Sequence, residues 1–183
     1  MFGWFKKKDR GHVIQHVAQE LATHLAAVHG VARASGDFMS RLRRDAYMSG
    51  YLDGKTGTFL LTALQEGSSS REELAQEYGT ALSMALTAFL GEEDGREYVT
   101  ATRKHRNERS AAYLAGQKKG QTITRYYMRL VDVSGDPDYP KALQLGRKAE
   151  TLASQVGTGP GRIDDTEAAL IGLEELWFLS KHG

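Results

Sequence analysis

HVIQHVAQELATHLAAV, residues 12–28, decides how the chain is read. Val13, Val17, Leu21, Leu25 and Val28, with Ile14, fall on one stripe at the 3.6-residue spacing of an α-helix. A half-buried strand would alternate at every second residue, and this segment does not.

The same period recurs along the chain. Phe38, Met39, Leu42 and Ala46 begin a second helix, and Phe59, Leu60, Ala63 and Leu64 continue or follow it after Gly54 and Gly57. Ser70 followed by Glu73 is a capping box, so another helix starts near Arg71. Its stripe is Leu74, Tyr78, Ala81, Leu82, Ala85 and Phe89, and Gly91 to Gly95 ends it. A long charged helix is expected from Arg96 to about Lys119, then a shorter one over Thr122–Val133. Only Val131–Val133 has the β-branched alternation of a strand. Leu145, Ala149, Leu152 and Val156 mark a further helix. Asp164 or Asp165 caps the last one, whose inner face is Ala169, Leu170, Leu173, Leu176 and Trp177. The three prolines, Pro137, Pro140 and Pro160, interrupt nothing earlier. One strand candidate cannot make a sheet. The expectation is an all-α fold, a single-domain bundle or short array of about six to eight helices. It spans residues 10–183, after a basic and aromatic N-terminus over residues 1–9.

Three segments look alike: Ala46-Tyr47-Met48-Ser49-Gly50, Ala112-Tyr113-Leu114-Ala115-Gly116 and Ala168-Ala169-Leu170-Ile171-Gly172. The first two also share Gly54 with Gly120, Thr56 with Thr122, and Arg43 with Arg109, at an offset of 66. Ala18 to Leu25 likewise resembles Ala75 to Leu82. This suggests an internal repeat of about 60–66 residues, with units over 10–67, 70–133 and 138–181. Gly50 with Gly54, and Gly116 with Gly120, sit four apart, which points to close helix–helix approach, a kink or a helix end.

The 183 residues include no cysteine, which excludes disulfides, thiolate chemistry and cysteine-ligated metal. Apolar residues are 40% and charged residues 26%, the balance of a globular protein. No apolar run approaches the roughly 20 residues of a membrane span. The N-terminus lacks the order of a secretory signal, so the expected location is cytoplasmic, with the chain unprocessed. The net charge is only +1, yet it is unevenly placed. Eight cations and one acid lie between Arg103 and Arg129, whereas eight acids and two arginines lie between Glu66 and Glu97. Such separation suits an anionic partner or self-association.

Three groups of residues could carry chemistry. A helix from Arg96 would put Tyr98, Thr102, His105, Arg109, Tyr113 and Gly116 on one face that is polar and aromatic where aliphatics would be expected. Arg103, His105, Arg106, Arg109 and Tyr113 are the candidates there to bind an anion. Arginine offers phosphate or carboxylate a planar fork. The same residues could instead form a buried network with Glu77, Glu72 or Asp53. The downstream mixture of Lys118, Lys119, Arg125, Tyr126, Tyr127 and Arg129 adds a hint of nucleic-acid binding. His12, His16 and Glu20 recur at spacing four, where His16 with Glu20 is the best pair for a divalent metal. Otherwise no cofactor is expected. His24 borders the apolar stripe and reads as a core histidine. Phe2, Trp4 and Phe5 with Lys6, Lys7 and Lys8 could rest on an anionic membrane surface. No nucleophile elbow is present, and Gly54-Lys55-Thr56 lacks the earlier glycine of a phosphate loop, so no reaction can be named. The leading expectation is a protein-interaction or regulatory helical module. The alternatives are binding of an anionic ligand (a nucleic acid or phosphorylated small molecule) and binding of metal.

Overall fold

The computed structural model describes residues 10–34, 36–65, 70–155 and 163–179. Among the described residues there are eight α-helices and no strand, so the all-α expectation stands. They are α1 (Arg10–Ala34), α2 (Phe38–Arg44), α3 (Ala46–Gln65), α4 (Arg71–Leu90), α5 (Glu92–Glu108), α6 (Ala111–Tyr127), α7 (Tyr139–Gln155) and α8 (Asp165–Glu174). A π-helical turn, Glu175–Leu179, follows α8. The chain divides into two compact units, Met1–Gly120 and Gln121–Gly183, and the division falls within α6.

Short polar side chains set several helix starts. Asp45 accepts from the Met48 amide at 3.0 Å at the head of α3. Ser70 accepts from the Glu73 amide at 3.1 Å and opens α4. Ser110 accepts from the Tyr113 amide at 3.2 Å and opens α6. Asp164 and Glu167 form a full capping box on α8. Each such cap is worth about 1 kcal/mol. Between α4 and α5 the chain turns on Gly91 alone, at φ 93°, a value that favours glycine.

The expected long helix from Arg96 to Lys119 is corrected. Arg109 adopts the left-handed conformation, φ 47° and ψ 38°, and ends α5. Tyr113 and Gly116 therefore belong to a different helix from Tyr98, Thr102 and His105, and these five with Arg109 do not share one face. The helix expected to begin at Thr122 is the continuation of α6, which runs from Ala111 straight through Gly116 and Gly120. Val131–Val133 is no strand, and a 3₁₀ turn begins at Val133.

In the first unit, α3 is the central helix. Nine consecutive residues, Met48 to Thr56, are buried, so it is covered on every side. Val17, Leu21 and Leu25 of α1, Leu42 of α2, and Ala81, Ala85 and Phe89 of α4 supply apolar cover. Phe38 meets Phe89 edge-on at 6.2 Å. Each fully buried Leu or Phe contributes about 1.5–3 kcal/mol of transfer free energy. Arg10 of α1 grips both oxygens of Glu77 on α4 at 2.7 Å, and Arg33 reaches the Leu90 carbonyl at 3.2 Å, so α1 and α4 run in the same direction.

The paired glycines mark a close crossing of α3 and α6. A methyl group on Gly50 would lie 2.1 Å from the Tyr113 carbonyl oxygen, and one on Gly54 2.2 Å from that of Gln117. The contact is reciprocal. Gly116 meets the Tyr47 oxygen at 2.1 Å and Gly120 that of Tyr51 at 2.0 Å. Two of the look-alike segments are thus each other's packing partners, and the helices run parallel there. Only residues without a Cβ allow backbones this near.

The second unit is built on an antiparallel pair, α7 and α8. Gly146 abuts Ala168 and Gly172 abuts Ala142, so the third look-alike segment packs on its sequence neighbour. Arg147 donates to the Ile163 carbonyl at 2.7 Å and pairs with Glu150 and Asp165 near the connection. At the other end the Trp177 indole donates to Asp138 at 2.9 Å.

Candidate functional site

Asp53 organises the polar interior of the first unit. It lies on the buried stretch of α3, with 8% of its surface exposed. Arg106 of α5 reaches it with two nitrogens, Nε at 3.2 Å and Nη2 closer. From α6, Tyr113 donates its hydroxyl to the same carboxylate and Gln117 reaches it at 3.5 Å. Both α6 residues are brought there by the glycine crossing, because they lie on the turns that Gly50 and Gly54 admit. Asp53 holds the Arg106 guanidinium above its usual range, outweighing its partial burial. Burial first, then the Asp53 bond, pushes the Tyr113 hydroxyl up to about 12. Tyr98, fully enclosed beside Thr56, is raised further by burial.

This arrangement separates the residues expected to bind an anion. Arg106 and Tyr113 are engaged by Asp53, one of the internal partners anticipated for them. His105 is buried on the inner side of α5, with Nε2 3.0 Å from the Arg43 carbonyl, so that nitrogen carries the proton and donates. Arg103 and Arg109 stay outside and exposed. Sequence reasoning missed that α2 lies beside this part of α5. The Arg43 carbonyl on His105 sets the end of α2, which carries Arg41, Arg43 and Arg44, beside the last turns of α5, which carry Arg103 and Lys104. Arg43 also pairs with Glu97 at 2.7 Å. The signal for it was the run Arg41-Leu42-Arg43-Arg44, a second basic segment far away in sequence.

On the other side of α3 lies Lys55, fully buried, with Nζ 3.3 Å from Nε2 of His29 and 5.9 Å from the centre of the Tyr51 ring. Burial and Lys55 push His29 well below its ordinary value. Burial, with Lys55 second, lowers His24 to about 3, and its ring stacks on Phe59 at 6.3 Å. His24 is thus a neutral core histidine.

The metal candidates are at the surface. His16 Nε2 is 3.2 Å from Glu20, both side chains more than half exposed, and His12 is exposed one turn earlier. Among the described residues no three metal-ligating side chains converge. Phe2, Trp4, Phe5, Lys6, Lys7 and Lys8 lie outside the described residues, and no described helix is long and apolar enough to cross a membrane. The downstream tyrosines are not open for stacking on bases: Tyr126 is buried and donates to Asp136 at 2.9 Å.

The outward face of α4 differs from the rest of the surface. From Tyr78 to Gly91 there is no charged residue, in a chain that is 26% charged. Gly79, Thr80, Ser83, Met84, Thr87 and Ala88 are exposed on it. A cleft of about 380 Å³ runs along one side, against Gln15, Ala18 and Gln19 of α1. One of about 640 Å³ runs along the other, against Gly95, Arg96 and Val99 of α5.

Compared with known protein families, with curated proteins and with solved structures, the chain matches none.

Proposed function

We propose that the chain is a helical interaction module that pairs with a second copy of itself through the outward face of α4. The observation that carries this reading is the uncharged face between two clefts. The ridge itself carries no ion to desolvate, which is the main cost of burying polar surface, and the charged pair beside the 640 Å³ cleft, Glu92 with Arg96, keeps its own partner. Gly79, Ser83, Thr87 and Gly91 recur every four residues and keep the ridge low. The α3–α6 crossing illustrates how close two helices come along such a line. A two-fold copy would lay its own α4 against this one, with Met84 and Leu82 of each entering the clefts of the other. An isologous contact of this kind closes on itself and stops at a dimer.

Light scattering across a concentration series tests it. The wild-type chain is expected to form a dimer at micromolar concentration. Ser83→Arg, at an exposed position, is expected to give a monomer with unchanged helical circular dichroism. A wild type that stays monomeric, or a dimer that survives both Ser83→Arg and Thr87→Arg, refutes the reading.

A further inference from the structure

We infer that the first unit carries a separate surface, where the last turns of α2 and α5 meet the α5–α6 junction, that binds the phosphate groups of a nucleic acid. This does not depend on the α4 reading. Arg44, Arg103, Lys104 and Arg109 are exposed there, and none makes an ion pair among the described residues. Arg44 bonds only a carbonyl of its own helix, Ser40 at 3.2 Å. Two of the neighbouring acids are held by other arginines, Asp53 by Arg106 and Glu97 by Arg43, while Glu108 is half exposed 3.6 Å from His105 Nδ1 and Asp45 accepts from the Met48 amide. The four exposed cations thus outnumber the two acids nearest them in the chain, Asp45 and Glu108.

Cations at the end of a helix are expected from its dipole. That accounts for residues in the last turns but not for Arg109. Its backbone is left-handed, a conformation that strains an L-residue and not glycine. Glycine would give the same cap, with its amide on the His105 carbonyl. The backbone thus gives no reason for an arginine at this exposed position.

The chemistry favours phosphate. Three of the four are arginines, whose planar forks match phosphate oxygens. The exposed residues beside them, Thr100, Asn107 and Ser110, are polar. They can donate to phosphate oxygens but give a protein partner no large apolar anchor.

The test is fluorescence anisotropy of the full chain with a short labelled DNA duplex and its RNA counterpart, titrated over a range of salt. Four phosphate contacts predict a log–log salt slope with a magnitude of about three to four. Arg44→Glu with Arg103→Glu is expected to weaken binding at least tenfold at low salt, with unchanged circular dichroism. Arg109→Gly is expected to reduce the slope by about one while leaving the fold as stable or more so. No binding to either duplex at low salt overturns the inference. So does binding indifferent to the double reversal, an unchanged slope in Arg109→Gly, or equal competition by polyglutamate, which would mean that charge alone is read.

Discussion

Replacing Gly50 by alanine tests the α3–α6 crossing directly. The new methyl carbon would start 2.1 Å from the Tyr113 carbonyl oxygen, where ordinary contact begins at 3.4 Å. The obstacle is backbone, so no side chain can swing aside, and the two helices must part by about 1.3 Å. Overpacking of this kind costs about 1–3 kcal/mol. Parting the helices also stretches the Asp53 cluster, since Gln117 is already at 3.5 Å. A buried acceptor left short of partners adds about 1–3 kcal/mol. Alanine returns about 1 kcal/mol through helix propensity. The balance is a loss of about 1–5 kcal/mol, centred near 3. Urea unfolding followed by circular dichroism measures it. The control is Gly79→Ala on the open face of α4, where nothing lies within 4 Å of the added methyl. That variant is expected to gain up to about 1 kcal/mol from propensity. Adding Gly116→Ala to Gly50→Ala should cost less than the sum of the two, because the first already separates the helices. If Gly50→Ala is as stable as Gly79→Ala, the crossing is not where these residues meet.

The other predictions concern buried charge. Asp53→Asn should lower stability by about 1–3 kcal/mol, because Arg106 loses its counter-ion but is half exposed and can turn to water. The same melts measure it, and an unchanged midpoint would mean that Asp53 organises nothing. The second prediction is a loss of stability in mild acid. The folded chain holds His24 near 3, below an ordinary value of 6.5, so below pH 6.5 the unfolded chain binds more protons. Stability is full above about pH 6.5 and falls as pH drops toward 3, by about 2 kcal/mol at pH 5 from His24 alone. His29 adds in the same direction. His24→Leu should flatten that part of the profile in melts between pH 5 and 7. A slope equal to that of the wild type would show that His24 titrates alike in both states.

What could be read from the residues was whatever depends on local pattern. The α1 stripe and the Ser70 and Asp164 caps follow from spacing of a few residues. The stripe read for α7 is not its inner face: Ala149 and Leu152 are exposed, Ala142 and Gly146 are buried, and Val156 lies outside the described residues. The glycine pairs signalled close approach, but not what they approach, since the partner is 66 positions away. The break at Arg109 was illegible because a left-handed cap is normally announced by glycine or asparagine, and an arginine sends no such signal. The placement of α2 beside α5 was illegible because its seven residues hold too little pattern to fix a neighbour. Of the candidate site, the residue types at Arg103 and Arg109 were visible. Which cations remain outside is decided by Asp53, and a lone carboxylate on an otherwise apolar and small-residue helix does not say which way it points.

Asp53 and Lys55 stand two residues apart on α3, and two steps of 100° put them on nearly opposite flanks of the helix. One side supplies an arginine and a tyrosine for the acid, and the other a histidine for the base. A nascent α3 that docked one residue out of place would rotate by about 100°, carrying both ions onto aliphatic walls at a cost of several kcal/mol. Apolar contacts alone forgive such a slip, because a helix covered all round by Leu, Met and Tyr offers similar grease at every azimuth. The two opposite charges therefore work as a key with two teeth, fixing the rotation of α3 about its own axis where its apolar surface alone would not.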